Sequence, residues 1–163
     1  MTINSLGLPN GVKGRTDGVA PSSGDIGEVI EATITDTTLT TTIGDVGGAS
    51  ITLTPGRWKI TYELSALYIT GTAAGDNGFT QAIMTDSSNV LIAKTERLLN
   101  GKTPAAAEMR CAATLTASAF LNLSAGATYK VRGKVTNNAG TGSGIILVSA
   151  STYNSVFYAQ RIG

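Results

Sequence analysis

The chain of 163 residues has no histidine and a single cysteine. Without histidine there is no His-dependent catalytic triad, no histidine-rich metal site and no imidazole pH switch. The one thiol, Cys111, cannot close an intrachain disulfide. It alternates with Met109 and Ala113, as a small core residue does. Charge is also scarce: Asp, Glu, Lys and Arg make up 14% of residues, against about 25% in a typical soluble domain. Net charge is +1, with both signs spread along the chain, so no long-range field steers it to nucleic acid. No apolar run reaches the ~18 residues of a membrane helix, which argues against membrane insertion. The N-terminus lacks the charged-then-apolar order of a secretory leader. Aromatic residues amount to 6%, few for a sugar-stacking platform.

What fills the space is Thr, Ser, Ala and Gly arranged with a period of two. Residues 53–70 read LTPGRWKITYELSALYIT. After a Pro-Gly turn, Trp58, Ile60, Tyr62, Leu64, Ala66 and Tyr68 fall on alternate positions, with Lys59, Thr61, Glu63, Ser65 and Leu67 between them. Alternation this long is a half-buried β-strand. Further strands are predicted at 26–35, 49–54, 78–85, 90–95, 107–117, 118–124, 127–136, 145–151 and 153–162. Thr37–Thr42 reads as an extended or turn segment. The loop 71–78, GTAAGDNG, carries turn chemistry at Asp76-Asn77-Gly78. One acid without a full ligand spacing is a weak signal for calcium. Gly133 interrupts an apolar face and implies a bulge or a close backbone approach. The expected fold is all-β, an antiparallel two-sheet sandwich over residues 25–163. A domain of this size buries roughly two-thirds of its unfolded surface, enough for one core.

Residues 1–24 differ from the rest: Gly, Pro, Ser and Asn dominate, with no strand or helix period. They read as an extended attachment arm with Leu6, Leu8 and Val19 as anchors, docked on a neighbouring chain or folded back on its own domain. The last two strands raise a second question. Residues 145–150 are apolar on consecutive positions, and Val156, Phe157 and Tyr158 nearly so. In a two-sheet sandwich each strand has one wet face. Ile146, Val148, Val156, Phe157 and Tyr158 are therefore expected at an interface between symmetric copies.

Several of these segments carry a family resemblance. Pro55, Gly56 and Trp58, then Leu121, Leu123, Ala125, Gly126 and Tyr129, then Val156, Phe157 and Tyr158 resemble successive elements of the jelly roll shared by complement globular heads and tumour necrosis factors. Residues 18–32, GVAPSSGDIGEVIEA, resemble the lead-in to such a domain in tailed-bacteriophage virion proteins. The resemblance implies a trimeric jelly-roll head on an arm, fixed to a virus particle as capsid decoration, head fibre or tail fibre. It also implies a homotrimer, other virion proteins at the arm and a host surface glycan as partners.

No constellation points to catalysis or to a cofactor. Glu28 and Glu31 face opposite sides of a strand, Glu63 stands alone, and Glu96 and Glu108 flank a loop. GTGSG lacks the lysine of a phosphate cradle. Two further features bear on binding. Lys130, Arg132 and Lys134 alternate on one strand face, either solvated opposite acids or facing an anionic ligand such as a sugar acid or phosphate. Asn137 and Asn138, with Tyr68, Tyr153 and Tyr158, are the candidates for a carbohydrate-binding module, the alternative to a virion role.

Overall fold

The computed structural model describes residues 22–104, 106–147 and 154–163. The arm anchors Leu6, Leu8 and Val19, together with Val148 and Tyr153, lie outside the described residues. Ten strands form two antiparallel sheets. They are β1 (Val29–Ala32), β2 (Thr37–Leu39), β3 (Gly44–Leu53), β4 (Gly56–Thr70) and β5 (Asn77–Asp86), then β6 (Arg97–Lys102), β7 (Arg110–Leu123), β8 (Ala127–Ala139), β9 (Gly142–Leu147) and β10 (Val156–Arg161).

The long alternating strand is the centre of the six-stranded sheet. β7 pairs along one edge of β4 over Gly56–Ile69. On the other edge β10 pairs with residues 58–63 and β9 with residues 65–70, so the two run end to end. β1 and β2 continue the sheet beyond β10 and β9. The second sheet has the order β3-β8-β5-β6. The first and last strands thus lie side by side in one sheet, and β1-β10-β4-β7 faces β3-β8-β5-β6. This is the winding of a jelly roll.

Alternation along β4 delivers the core. Trp58, Ile60, Tyr62, Leu64 and Tyr68 have no exposed surface and Ala66 has 2%. They meet Val46, Ile51, Leu53, Met84 and Val131 from the opposite sheet. Burial of each large side chain contributes about 1.5–3 kcal/mol. The core is keyed by its few polar tips. The Trp58 indole donates to Thr54 O at 3.0 Å, and the Tyr62 hydroxyl donates to Thr95 O, so neither ring buries an orphan donor.

Several expectations need correction. Residues 107–117 and 118–124 are not two strands. They are one, β7, because nothing between Thr116 and Ala119 turns the chain. Residues 90–95 form no strand, only a bridge between Leu91 and Thr85. Asn89 and Lys94 take positive φ there and break the run. The neighbouring segment 97–102 pairs instead, as β6. β3 begins at Gly44 rather than 49, its Gly-rich start accommodated by a register shift between Asp45 and Ser50. Gly133 marks close approach: a β-carbon there would stand 3.0 Å from Gln81 O and from Leu39 Cδ2.

The interface expectation also changes. Ile146 and Phe157 are fully buried inside their own protomer. Residue parity decides this: Ile146 pairs with Ala66 and Phe157 with Tyr62, both inward-facing positions. Neither offers any surface to another copy. Val156 and Tyr158 have the opposite parity and lie half-buried on the outer face.

Candidate functional site

The start of β1 and the end of β10 meet at a junction built around Glu28 and Arg161. Glu28 precedes β1 and Arg161 ends β10, so their backbones meet: Arg161 N–H donates to Glu28 O and Gly27 N–H to Arg161 O, both at 2.9 Å. The side chains lock the same junction. Arg161 Nε donates to Glu28 Oε2 at 3.0 Å, and Nη1 donates to Pro55 O at 2.8 Å. The guanidinium lies 4.5 Å from the Trp58 ring centroid. Gly56, at φ +142°, has no room for a β-carbon because the guanidinium fills the space. Burial pushes the Glu28 carboxyl up, but bonds from Gly24 N–H, Arg161 and Ser23 outweigh it and hold the carboxyl below the usual carboxylate value.

Beside this junction lies the outer face of the six-stranded sheet. Strand register builds it in rows. Phe120, Lys59, Gln160 and Val29 stand side by side across β7, β4, β10 and β1. Ser118, Thr61, Tyr158 and Glu31 form the next row, tied by a 2.8 Å bond between the Thr61 and Ser118 hydroxyls. Phe120 is 73% exposed and Val29 58%. Half-buried Tyr158 and Val156 follow along β10, one and two rows from Gln160. Further along, Leu67 and Ile145 face the same way. Phe120 and Val29 are thus open apolar positions, separated in their row by Lys59 and Gln160, on a face that also carries Arg57, Glu63 and Glu31. Sequence reasoning missed Phe120 and Val29. Phe120 sits at a parity of β7 otherwise held nearby by Thr114, Thr116, Ser118 and Asn122, and that misfit was the available signal.

The basic ladder is where alternation put it, on the outer face of the second sheet. Two of its members are already engaged: Lys130 Nζ and Arg132 Nε reach Asp45 at 3.1 and 3.0 Å. Arg132 also donates to Ile43 O. With Asp45 half-exposed, such pairs are worth at most about 1 kcal/mol. Lys134 stands next to Gln81 in the register, without an ion pair among the described residues.

Asn137 and Asn138 part company. Asn137 turns inward, accepting from the Tyr68 hydroxyl at 3.0 Å and donating to Gly142 O at 3.2 Å. Tyr68, expected as an exposed sugar platform, is fully buried, a correction that follows from its β4 parity. Burial raises its phenol pKa, with the Asp76 charge adding to the effect. Asn138 stays exposed and lines an open cleft of about 550 Å³ with Asn77, Asn100 and Lys102. Asn100 and Lys102 were not anticipated, because β6 was not. Among the described residues no three acidic or cysteine side chains converge.

No protein-family model matches the chain, and no curated protein matches it. Among solved structures, it is similar to a chain of the T13 particle of infectious bursal disease virus (IBDV). There the TM-score is 0.37 at 10% identity, over 85% of this chain and 36% of that one. Chains of the Gt and Gx strains of the same virus give TM-scores of 0.36 and 0.33 at 9% identity, covering 97% and 85% of this chain and 44% and 38% of those. The chain spans less than half of each of these viral chains.

Proposed function

We propose that this protein is a non-enzymatic structural component of a virus particle: a jelly-roll head that assembles as a trimer and is anchored by residues 1–21. The observation that carries the reading is the outer face of the six-stranded sheet, where Phe120 and Val29 stand exposed beside Val156 and Tyr158. The face mixes these apolar side chains with small Thr and Ser and with charges of both signs, Arg57, Lys59, Glu31 and Glu63, a combination that identical copies can pair across a symmetric interface. Pairing of β1 with β10 supports the resemblance to the complement-head and tumour-necrosis-factor jelly roll, in which the last strand lies at the trimer axis. The tailed-phage resemblance of residues 18–32 supports a virion setting, as capsid decoration or fibre head. Leu6, Leu8 and Val19 would hold the arm to another virion protein. Three arms per head would let weak single contacts add up.

The junction of Glu28 with Arg161 supports an arm that leaves from a rigid point. Ser22 O accepts from Asp25 N–H and Gly24 N–H donates to Glu28, so the lock begins at residue 22. Deleting residues 2–21 is the corresponding test. The truncated chain keeps its oligomeric state but no longer binds particles. Retention on particles would refute arm docking.

The cleft of Asn77, Asn100, Asn138 and Lys102 favours a second reading, a carbohydrate-binding module, and is equally suited to a host glycan as receptor. It has amides and a cation but no stacking ring. Glycan-array binding that falls with Asn100→Ala would support it, and silence from the intact assembly would count against it.

A further inference from the structure

The cleft of Asn77, Asn100, Asn138 and Lys102 is one end of a larger surface, and strand register lays out the rest. Asn77 pairs with Lys102 on β6. Two residues on, Phe79 stands between Asn100 on β6 and Thr136 on β8. Two further, Gln81 stands between Leu98 and Lys134. Side chains two apart on a strand share a face, so these rows form one outer face, which β8 continues through Arg132 and Lys130. Phe79 is half-buried yet takes no part in the hydrophobic core. It is the ring that the cleft itself lacks, set one row along, about 7 Å from Asn77.

The polar groups of this face have unused capacity. Neither Lys102 nor Lys134 has an ion pair or a hydrogen-bond partner among the described residues. The exposed amides of Asn100 and Asn138 are likewise unengaged. Lys130 and Arg132 share the one carboxylate of Asp45, and Glu96 accepts from the Gln81 amide. Along these rows four cations thus meet two acids, in a chain whose net charge is only +1. A face with such an excess attracts anions. Free amides bond hydroxyls, and an aromatic ring offers a flat apolar seat. From Asn138 to Lys134 the surface runs about 14 Å along β8, a length that suits a chain molecule carrying anions at intervals rather than one small ion.

We propose that the outer face of the second sheet binds a carboxylated polysaccharide. Lys102 and Lys134 hold carboxylates of separate sugar units, the Asn100 and Asn138 amides bond hydroxyls, and Phe79 stacks under a sugar ring. The proposal rests on the glycan reading of the cleft and names the class of glycan. An acidic sugar chain uses the two unpaired lysines, which a neutral one leaves idle. Lys130 and Arg132, already held by Asp45, contribute less.

Fluorescence anisotropy of labelled oligogalacturonate with the intact chain tests it. Saturable binding is expected, weakening at about 0.5 M salt as exposed charges are screened. Lys102→Met and Lys134→Met each weaken it about tenfold. Phe79→Leu, which keeps apolar bulk and loses the ring, weakens it several-fold. Dextran of the same length binds about tenfold less well than the acidic chain, because it engages neither lysine. Unchanged affinity in Lys102→Met, at an exposed position, overturns the proposal even if Phe79→Leu fails to fold. Dextran binding as tightly as oligogalacturonate, and lost in Asn100→Ala, also overturns it and leaves the glycan reading standing; binding of neither chain defeats both. Equal binding of a single-stranded DNA oligomer would show an unselective polyanion surface and overturn it too.

Discussion

Arg161 Nε and Glu28 Oε2 meet at 3.0 Å across 133 positions of sequence, with only 7% and 10% of their side chains exposed. This ion pair ties the start of the sandwich to its last strand. An apolar pair of the same volume would serve stability as well, but removing one member leaves a buried charge alone. Glu28→Gln is expected to cost about 3 kcal/mol at neutral pH by that argument, measured by urea denaturation.

The pH dependence of that loss has a defined sign. The folded Glu28 carboxyl sits below its usual value. Its contribution is therefore complete above the unfolded pKa of about 4.3 and disappears as pH falls through the lower folded value. Stability curves of the wild type and Glu28→Gln should converge below about pH 4. A gap that stays constant down to pH 2 would show that the carboxylate charge is not what holds the junction.

Tyr68 occupies a slot made by missing side chains. A β-carbon on Gly101 would stand 2.5 Å from Tyr68 Cδ1 and 3.1 Å from Cys111 Sγ. Gly101→Ala is expected to cost about 1–3 kcal/mol through overpacking, with the denaturant midpoint falling at unchanged slope. Tyr68→Phe removes the bond to Asn137 and costs about 1 kcal/mol. If Gly101→Ala is neutral, the ring is not packed as described.

Hydrogen exchange should rank the strands. β4 is paired on both edges over most of its length, so its amides open only with the whole domain and exchange slowest. The free edge of β7 and the three-residue β2 exchange fastest among the strands. Uniform protection of β2 and β4 would contradict the sheet order.

Period-two patterning made the sandwich and β4 readable, because a strand with one wet face writes its burial into its sequence. β7 was readable as strand but not as one piece, since Thr, Ser and Ala carry little contrast between faces. β6 was hidden: RLLNGK contains Asn100-Gly101, which looks like a turn. For Ile145 and Ile146 the adjacent apolar pair was visible, but only the register shows that Ile146 points into the core and Ile145 outward. Glu28 gave no sign of burial, because Arg161 is distant in sequence and a lone acid looks solvated. Lys130 and Arg132 were legible as a ladder, while Asp45 as their counter-charge depended on the pairing of β3 with β8.

The central claim is that the outer face of the six-stranded sheet is covered by other copies of this chain. A charge at Ile146 would unfold the core and report nothing about assembly, so the informative variant is Phe120→Glu combined with Tyr158→Glu. Sedimentation velocity at micromolar concentration decides the matter. The account predicts a trimer for the wild type and a folded monomer for the double variant; a wild-type monomer, or a trimer indifferent to both charges, would contradict it.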